Sequence, residues 1–170
     1  MPRPKLYLFI GYPGAGKTST AKLIAERTGA HHLWADGERH KMFPNPTHSQ
    51  QESVQLYEYL NHRAAECLAA GEDVVFDTNF NFYDDRENLR EIARTNNADV
   101  VLIWIQTPEK VARKRAVCLP QMRNGYMWQM TDEQFDNIVS KLEKPRKHEN
   151  FIKIDGTKLD PQQVIDLLNI

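Results

Sequence analysis

Residues Gly11-Tyr12-Pro13-Gly14-Ala15-Gly16-Lys17-Thr18 spell G-x-x-x-x-G-K-T, and their flanks constrain the fold more than any other stretch of the chain. Leu6-Tyr7-Leu8-Phe9-Ile10 precedes them and reads as a buried strand. Ala21, Ile24, Ala25 and Thr28 follow at helical spacing, and Gly29 reads as the helix stop. A strand, a glycine turn and a helix are the context in which this motif, the Walker A motif or P-loop, cradles phosphate. Glycines let the backbone turn tightly enough for successive N–H groups to point inward at phosphate oxygens. The helix N-terminus adds partial positive charge at the same place. The motif assigns Gly11, Pro13, Gly14, Ala15, Gly16, Lys17, Thr18 and Ser19 to a nucleotide. Lys17 is expected to reach the β- and γ-phosphates and the Thr18 hydroxyl to ligate Mg²⁺.

The rest of the chain alternates strands and helices. His31-His32-Leu33-Trp34 reads as a short second strand, and Asp36 to Phe43 as its end followed by a short helix. Phe43-Pro44-Asn45-Pro46-Thr47-His48 is a loop, because two prolines disfavour regular structure. A long helix then places Leu56, Tyr57, Leu60, Ala64, Cys67 and Leu68 on one face and ends at Gly71. Val74-Val75-Phe76 is a strand leading into Asp77-Thr78-Asn79, and the next helix carries Leu89, Ile92 and Ala93. The uninterrupted apolar run Val100 to Ile105 marks a parallel strand covered on both faces. Thr107-Pro108 is expected to open a helix with Thr107 as N-cap. Residues 118–130, with Pro120 and Gly125, break the pattern. Thr131 and Gln134 form a capping box for a helix with Phe135, Ile138, Val139 and Leu142. Phe151 to Ile154 is a last strand, and Asp160-Pro161 caps a C-terminal helix with Val164, Ile165 and Leu168. Such alternation implies a three-layer α/β sandwich around a parallel sheet, with ligands beyond the carboxyl ends of the strands.

Composition narrows the function. At 170 residues, one domain spanning 1–170 is expected, with a lid at about 113–142. The net charge of −1 gives no global attraction to nucleic acid or anionic lipid. Cys67 and Cys118 are too few and too far apart for a disulfide framework or a cysteine-based zinc motif, and the six histidines show no metal-ligand spacing. Met1 to Lys5 lacks the apolar stretch of a signal peptide, and the strand after it is too short to span a membrane. A cytoplasmic protein with no membrane partner and no obligate protein partner is the expectation.

Three further groups carry chemistry. Asp36 and Arg39 form Asp-x-x-Arg after the second strand; the carboxylate suits a general base toward an attacking hydroxyl, and the arginine suits an anionic acceptor. A helix-starting Asp paired with a surface Arg is the structural alternative. Asp77 ends a hydrophobic strand beside the P-loop, where a carboxylate supports a metal or its waters; a turn cap is its plain alternative. Arg113, Lys114, Arg115 and Arg123 surround the segment 118–130, which reads as a lid bringing a guanidinium to a transferring phosphoryl. Arg115 shares a helical stripe with Val111 and Ala112 and so leans inward more than Lys114. Phe80, Phe82 and Tyr83 follow Asp77 too closely for all to be core, so one of them is expected to face the acceptor.

The ordered set Gly11–Ser19, Asp36-x-x-Arg39, Asp77-Thr78-Asn79-Phe80-Asn81 and Pro108 with Arg115 seven residues on resembles the P-loop kinases related to polynucleotide 5′-kinase, a group that contains many small uncharacterised kinases. The resemblance spans nearly the whole chain. It implies a P-loop NTPase sandwich with a five-stranded parallel sheet in the order 2-3-1-4-5 and a helical lid. It implies ATP and Mg²⁺ at Lys17 and Thr18, Asp36 as general base, Arg39 on the acceptor side and Arg115 on the donor phosphates. The implied reaction is transfer of the γ-phosphoryl of ATP to a hydroxyl, on a small molecule or a nucleic-acid end. A polynucleotide 5′-hydroxyl kinase is the narrower alternative, although the chain carries no fused phosphatase or ligase domain. A nucleotide switch or ATPase module working through a partner is the alternative from another class. The chain contains no Asn-Lys-x-Asp guanine motif, and Asp77 is followed by Thr78 rather than by the Glu usual in motor ATPases.

Overall fold

The computed structural model describes residues 1–118, 121–123 and 126–170, with side chains described outside 121–128. The elements are β1 (Lys5–Ile10), α1 (Lys17–Thr28), β2 (His31–Trp34), α2 (Ala35–Met42), α3 (Gln50–Ala69), β3 (Val74–Asn79), α4 (Tyr83–Thr95), β4 (Asp99–Gln106), α5 (Glu109–Arg113) running into a π-helical turn (Lys114–Cys118), β5 (Gln121–Arg123), β6 (Tyr126–Trp128), α6 (Asp132–Lys141), β7 (Ile152–Asp155) and α7 (Pro161–Leu168). Five strands form a parallel sheet in the order β2-β3-β1-β4-β7, the expected 2-3-1-4-5 arrangement.

Strand β1 shows why the sheet is central. Its side chains alternate between faces, as strand geometry requires. Leu6, Leu8 and Ile10 pack with Leu56, Leu60, Ala64 and Leu68 of α3 and Leu89 and Ala93 of α4. Tyr7 and Phe9 pack on the other face with Ala21 and Ile24 of α1 and Val164 and Leu168 of α7. A helix layer thus covers each face, which is the three-layer sandwich. The Tyr7 hydroxyl is buried with no hydrogen-bond partner among the described residues, and burial pushes its pKa up to about 12. Among the described residues no helix is long and apolar enough to cross a membrane.

One irregularity positions the chemistry. Strands β1 and β3 pair as Leu6↔Val74 and Tyr7↔Val75, and then as Phe9↔Asn79. Four residues of β3 therefore cover what two residues of β1 cover. Against β2 the register is unbroken to Trp34↔Asp77.

The structure revises two expectations. Thr107 does not cap α5; Pro108 is the N-cap residue, and the Thr107 hydroxyl donates instead to Ala15 O at 2.9 Å. The segment 118–130 is not wholly irregular, because β5 and β6 pair as an antiparallel hairpin. Residues 119, 120, 124 and 125, and the side chain of Arg123, lie outside the described residues. The capping box at Thr131 and Gln134 is formed as expected.

Candidate active site

The P-loop joins β1 to α1 at the carboxyl end of the sheet. Gly14 and Gly16 have φ of 79° and 114°, a region that glycine enters without strain. Gly14 also sits too close to backbone to carry a side chain, and Gly16 has room for one only if the Leu159 side chain moves. A Cβ on Gly14 would lie 2.4 Å from Ala112 O, and one on Gly16 would lie 2.5 Å from Leu159 Cδ1. No side chain caps α1, so its first N–H groups call for acceptors from elsewhere, which suits an anion. The loop is braced from outside. Asn81 bonds both main-chain groups of Gly11, accepting from its N–H at 3.3 Å and donating to its carbonyl at 3.4 Å. Lys17 Nζ donates to Gly11 O at 2.9 Å and Tyr12 O at 2.8 Å, which holds the ammonium over the loop.

The loop forms one wall of a cleft of about 580 Å³, lined also by Asp36, Arg39, Tyr57, Asp77 and Arg115. At its floor Thr18 Oγ1 donates to Asp77 Oδ1 at 3.3 Å, and His32 Nε2 lies 2.9 Å from Asp77 Oδ2. Asp77 is only 3% exposed, so these contacts fix its carboxylate. Two adjacent ligands of an octahedral Mg²⁺, each at about 2.1 Å, lie about 3.0 Å apart. The Thr18–Asp77 pair fits that spacing, and hard oxygen donors are the right chemistry for the ion.

Asp36 and Arg39 sit on the first turns of α2, which starts immediately after β2. Asp36 is exposed and lines the cleft; Arg39 is buried. Arg39 is already engaged on one edge, donating to Glu52 Oε2 at 3.3 Å and Ser53 Oγ at 3.1 Å. The Thr47 N–H and hydroxyl and the His48 N–H also donate to Glu52 and hold its carboxyl below its usual range. The pair thus pins α2 to the start of α3. Any grip of Arg39 on an acceptor uses its other N–H groups. Tyr57 Oη lies 2.7 Å from Thr78 Oγ1, and burial pushes its pKa up, with the Asp36 carboxylate adding to the effect.

Arg115 reaches the P-loop from the π-helical turn. Its guanidinium donates to Gly14 O at 3.3 Å, Gly156 O at 2.8 Å and Thr157 O at 2.7 Å. Arg113 points elsewhere: Glu109, Asp132 and Asp136 surround it, and it stacks 4.5 Å from the Phe135 ring centroid. It is a clamp between α5 and α6, not a phosphate ligand. The expectation that Phe80, Phe82 or Tyr83 faces the acceptor is not met. Phe80 packs edge-on against Phe76, Phe82 is exposed, and Tyr83 stacks 3.5 Å under Arg146. Among the described residues, Trp34 and Tyr57 line the cleft.

Residues 6–145, from β1 to just past α6, match the sequence profile of the family described as AAA domain, AAA_33. The chain belongs to that family. No curated protein matches this AAA domain chain in sequence. Solved structures share its fold. A putative kinase from Chloroflexus aurantiacus superposes with a TM-score of 0.76 at 18% identity, over 99% of this chain and 96% of that one. The APS kinase of Mycobacterium tuberculosis, in complex with AMPPNP and APS, gives 0.65 at 20% identity over 100% of both chains. A gluconokinase from Sinorhizobium meliloti gives 0.63 at 20% identity, over 98% of this chain and 89% of that one.

Sequence reasoning missed several residues that brace the AAA domain's cleft without lining it. His32 looks like a surface histidine on a short strand, yet it buttresses Asp77. Asn81 belongs to the quoted motif but reveals its bonds to Gly11 only in three dimensions. The Thr107 contact to Ala15 was signalled by position alone, because Thr107 stands at the carboxyl end of β4, next to β1.

Proposed function

We propose that this AAA domain protein is an ATP-dependent kinase that transfers the γ-phosphoryl of ATP·Mg²⁺ to a hydroxyl of a small molecule. One observation carries the reading: a P-loop, an acidic side chain, Asp36, and the bonded Thr18–Asp77 pair all line one cleft. The donor phosphates lie on the N–H groups of the loop and of α1. Lys17 exchanges its bonds to Gly11 O and Tyr12 O for phosphate oxygens, so its charge is in place before the nucleotide arrives. Thr18 and Asp77 are the residues that would hold Mg²⁺, which would supply charge neutralisation on the phosphates. Asp36 accepts the proton of the attacking hydroxyl, and Arg39, fixed by Glu52 and Ser53, orients the acceptor. Arg115, held beside Gly14, meets the charge of the transferring group. Likeness to an APS kinase bound to AMPPNP and APS, and to a gluconokinase, supports a small hydroxyl acceptor.

The test is transfer of labelled phosphoryl from ATP to a panel of sugars, polyols, nucleosides and 5′-hydroxyl oligonucleotides, together with ATP binding by calorimetry. Asp36→Asn is expected to keep ATP affinity and lose transfer by at least about 10²-fold, the low end for a general acid–base group. Transfer only to oligonucleotides replaces the small-molecule reading with a polynucleotide kinase. ATP hydrolysis with no acceptor in the panel points to a switch or ATPase module. Loss of ATP affinity in Asp36→Asn moves Asp36 to the metal site.

A further inference from the structure

At the opposite end of the sheet from the cleft, the fold gathers His31, Cys67 and Glu72. Their metal-ligating atoms all lie within 4.8 Å of one another. Two of them already touch, with His31 Nε2 2.7 Å from Glu72 Oε2. No zinc motif is legible in the sequence, because the residues stand 36 and 5 positions apart and belong to different elements. The backbone holds them together. His31 N donates to Asp73 O at 2.8 Å, which starts the pairing of β2 with β3, and Glu72 N donates to Cys67 O at 3.0 Å, which closes the turn after α3. Cys67 is 4% exposed, whereas the His31 and Glu72 side chains are about half exposed at 45% and 53%. A thiol therefore forms the floor and two adjustable side chains form the rim.

We propose that His31, Cys67 and Glu72 bind one Zn²⁺ in tetrahedral geometry, with water as the fourth ligand. Bonds of about 2.0–2.3 Å place tetrahedral ligands about 3.3–3.7 Å apart. Small rotations of the exposed His31 and Glu72 side chains bring the three donors to that spacing. An imidazole, a thiolate and a carboxylate are a borderline-soft set that suits zinc and not the hard Mg²⁺ of the cleft. Thiolate and carboxylate together neutralise the ion, and the nearby Arg63 is paired with Glu66 at 2.5 Å. Burial raises the Cys67 pKa, so binding displaces a thiol proton. The ion staples the start of β2 to the end of α3, and its open fourth position leaves it exchangeable.

The test uses the full chain, stripped of metal and then supplied with ATP and excess Mg²⁺ so that the cleft is not counted. Co²⁺ serves as the optical probe. One equivalent is expected to give a thiolate-to-cobalt charge-transfer band that Zn²⁺ abolishes by displacement and that Cys67→Ala lacks. Zn²⁺ at about 100-fold over its Kd is expected to raise the melting temperature of the wild type by about 5–11 °C. The double variant His31→Ala/Glu72→Gln alters exposed positions and is expected to melt near the wild type without metal and to show no such rise. Absence of the band, an equal band in Cys67→Ala, or an equal Zn²⁺-dependent rise in the double variant overturns the proposal.

Discussion

Glu149 is the residue whose removal tests the packing logic most directly. Its side chain and that of Arg86 are both fully buried. Arg86 donates Nε and Nη2 to the two carboxylate oxygens at 2.8 Å each, Arg90 Nη2 adds a bond at 2.6 Å, and Arg146 N–H adds one at 2.7 Å. Arg86 Nη1 also donates to Phe80 O and Glu143 O, so the pair ties the chain after α6 to the loop that carries Asn81. Burial opposes the charge on Glu149, but these bonds outweigh it and bring its pKa from 4.5 down to about 2. At about 1.36 kcal/mol per pH unit, that difference is worth about 3 kcal/mol. Breaking one side of a buried pair costs about 3–5 kcal/mol, because the remaining charge stays buried. Glu149→Gln is therefore expected to lower the melting temperature at pH 7 by roughly 6–20 °C, at 2–4 °C per kcal/mol for a chain of this size. The unfolded chain binds the proton first as pH falls, so the contribution of Glu149 is complete above about 4.5 and fades toward about 2. The gap between wild type and variant should narrow over that window. A double Arg86→Met/Glu149→Leu variant should melt above either single variant, since it leaves no orphaned charge. Calorimetric melts from pH 7 to pH 3 provide the check. A Glu149→Gln protein within 2 °C of the wild type at pH 7, or with an undiminished gap at pH 3, refutes the argument.

Further outcomes follow from single sites. Lys17→Ala should abolish phosphoryl transfer while leaving the circular dichroism spectrum and melting temperature close to wild type; normal turnover would remove the P-loop assignment. Tyr7→Phe deletes a buried hydroxyl that has no partner among the described residues and should be neutral or stabilising by up to about 1–3 kcal/mol in denaturant titration, the cost of a buried unsatisfied group. Gly156→Ala and Gly71→Ala should differ sharply in the same titration. A Cβ on Gly156 would lie 2.0 Å from Thr107 Oγ1 and 2.3 Å from Ala15 O, so overpacking should cost at least about 1–3 kcal/mol and weaken ATP binding through the displaced P-loop. Gly71 has open space and only a φ of 81° to protect, so its cost should stay near about 1 kcal/mol with ATP affinity unchanged. Equal effects of the two substitutions would contradict this.

The architecture was legible because its signals are local. The apolar run before Gly11, the helical spacing of Ala21 and Ile24, and the Thr131–Gln134 capping box each declare an element within a few residues, and all are present. The gathering of the P-loop, Asp36 and Asp77 at one sheet edge followed from strand direction alone. What escaped depends on competition between partners far apart in the chain. Thr107 had a plausible local use as an N-cap, but the carbonyl of Ala15, 92 positions away, won its hydroxyl. Arg115 was singled out in the sequence, but the clamp role of Arg113 was not, because the acids that hold it, Asp132 and Asp136, stand 19 and 23 positions on. His32 gains its meaning only from Asp77, 45 positions on.

The slip between β1 and β3 places a limit on how the coding sequence of this region can vary. Apart from the reacting groups, side chains around the cleft can be exchanged one at a time, but the number of residues in β3 cannot change. Deleting Val75 or Phe76 would draw Asp77 back along the strand by about 3.3 Å. That is the full distance now separating Asp77 Oδ1 from Thr18 Oγ1. It would also turn the following side chains to the opposite face of the sheet. In-frame gaps and insertions should therefore be tolerated in the loop between α2 and α3 and be purged from Val75 to Asn79, whatever acceptor the cleft has come to hold.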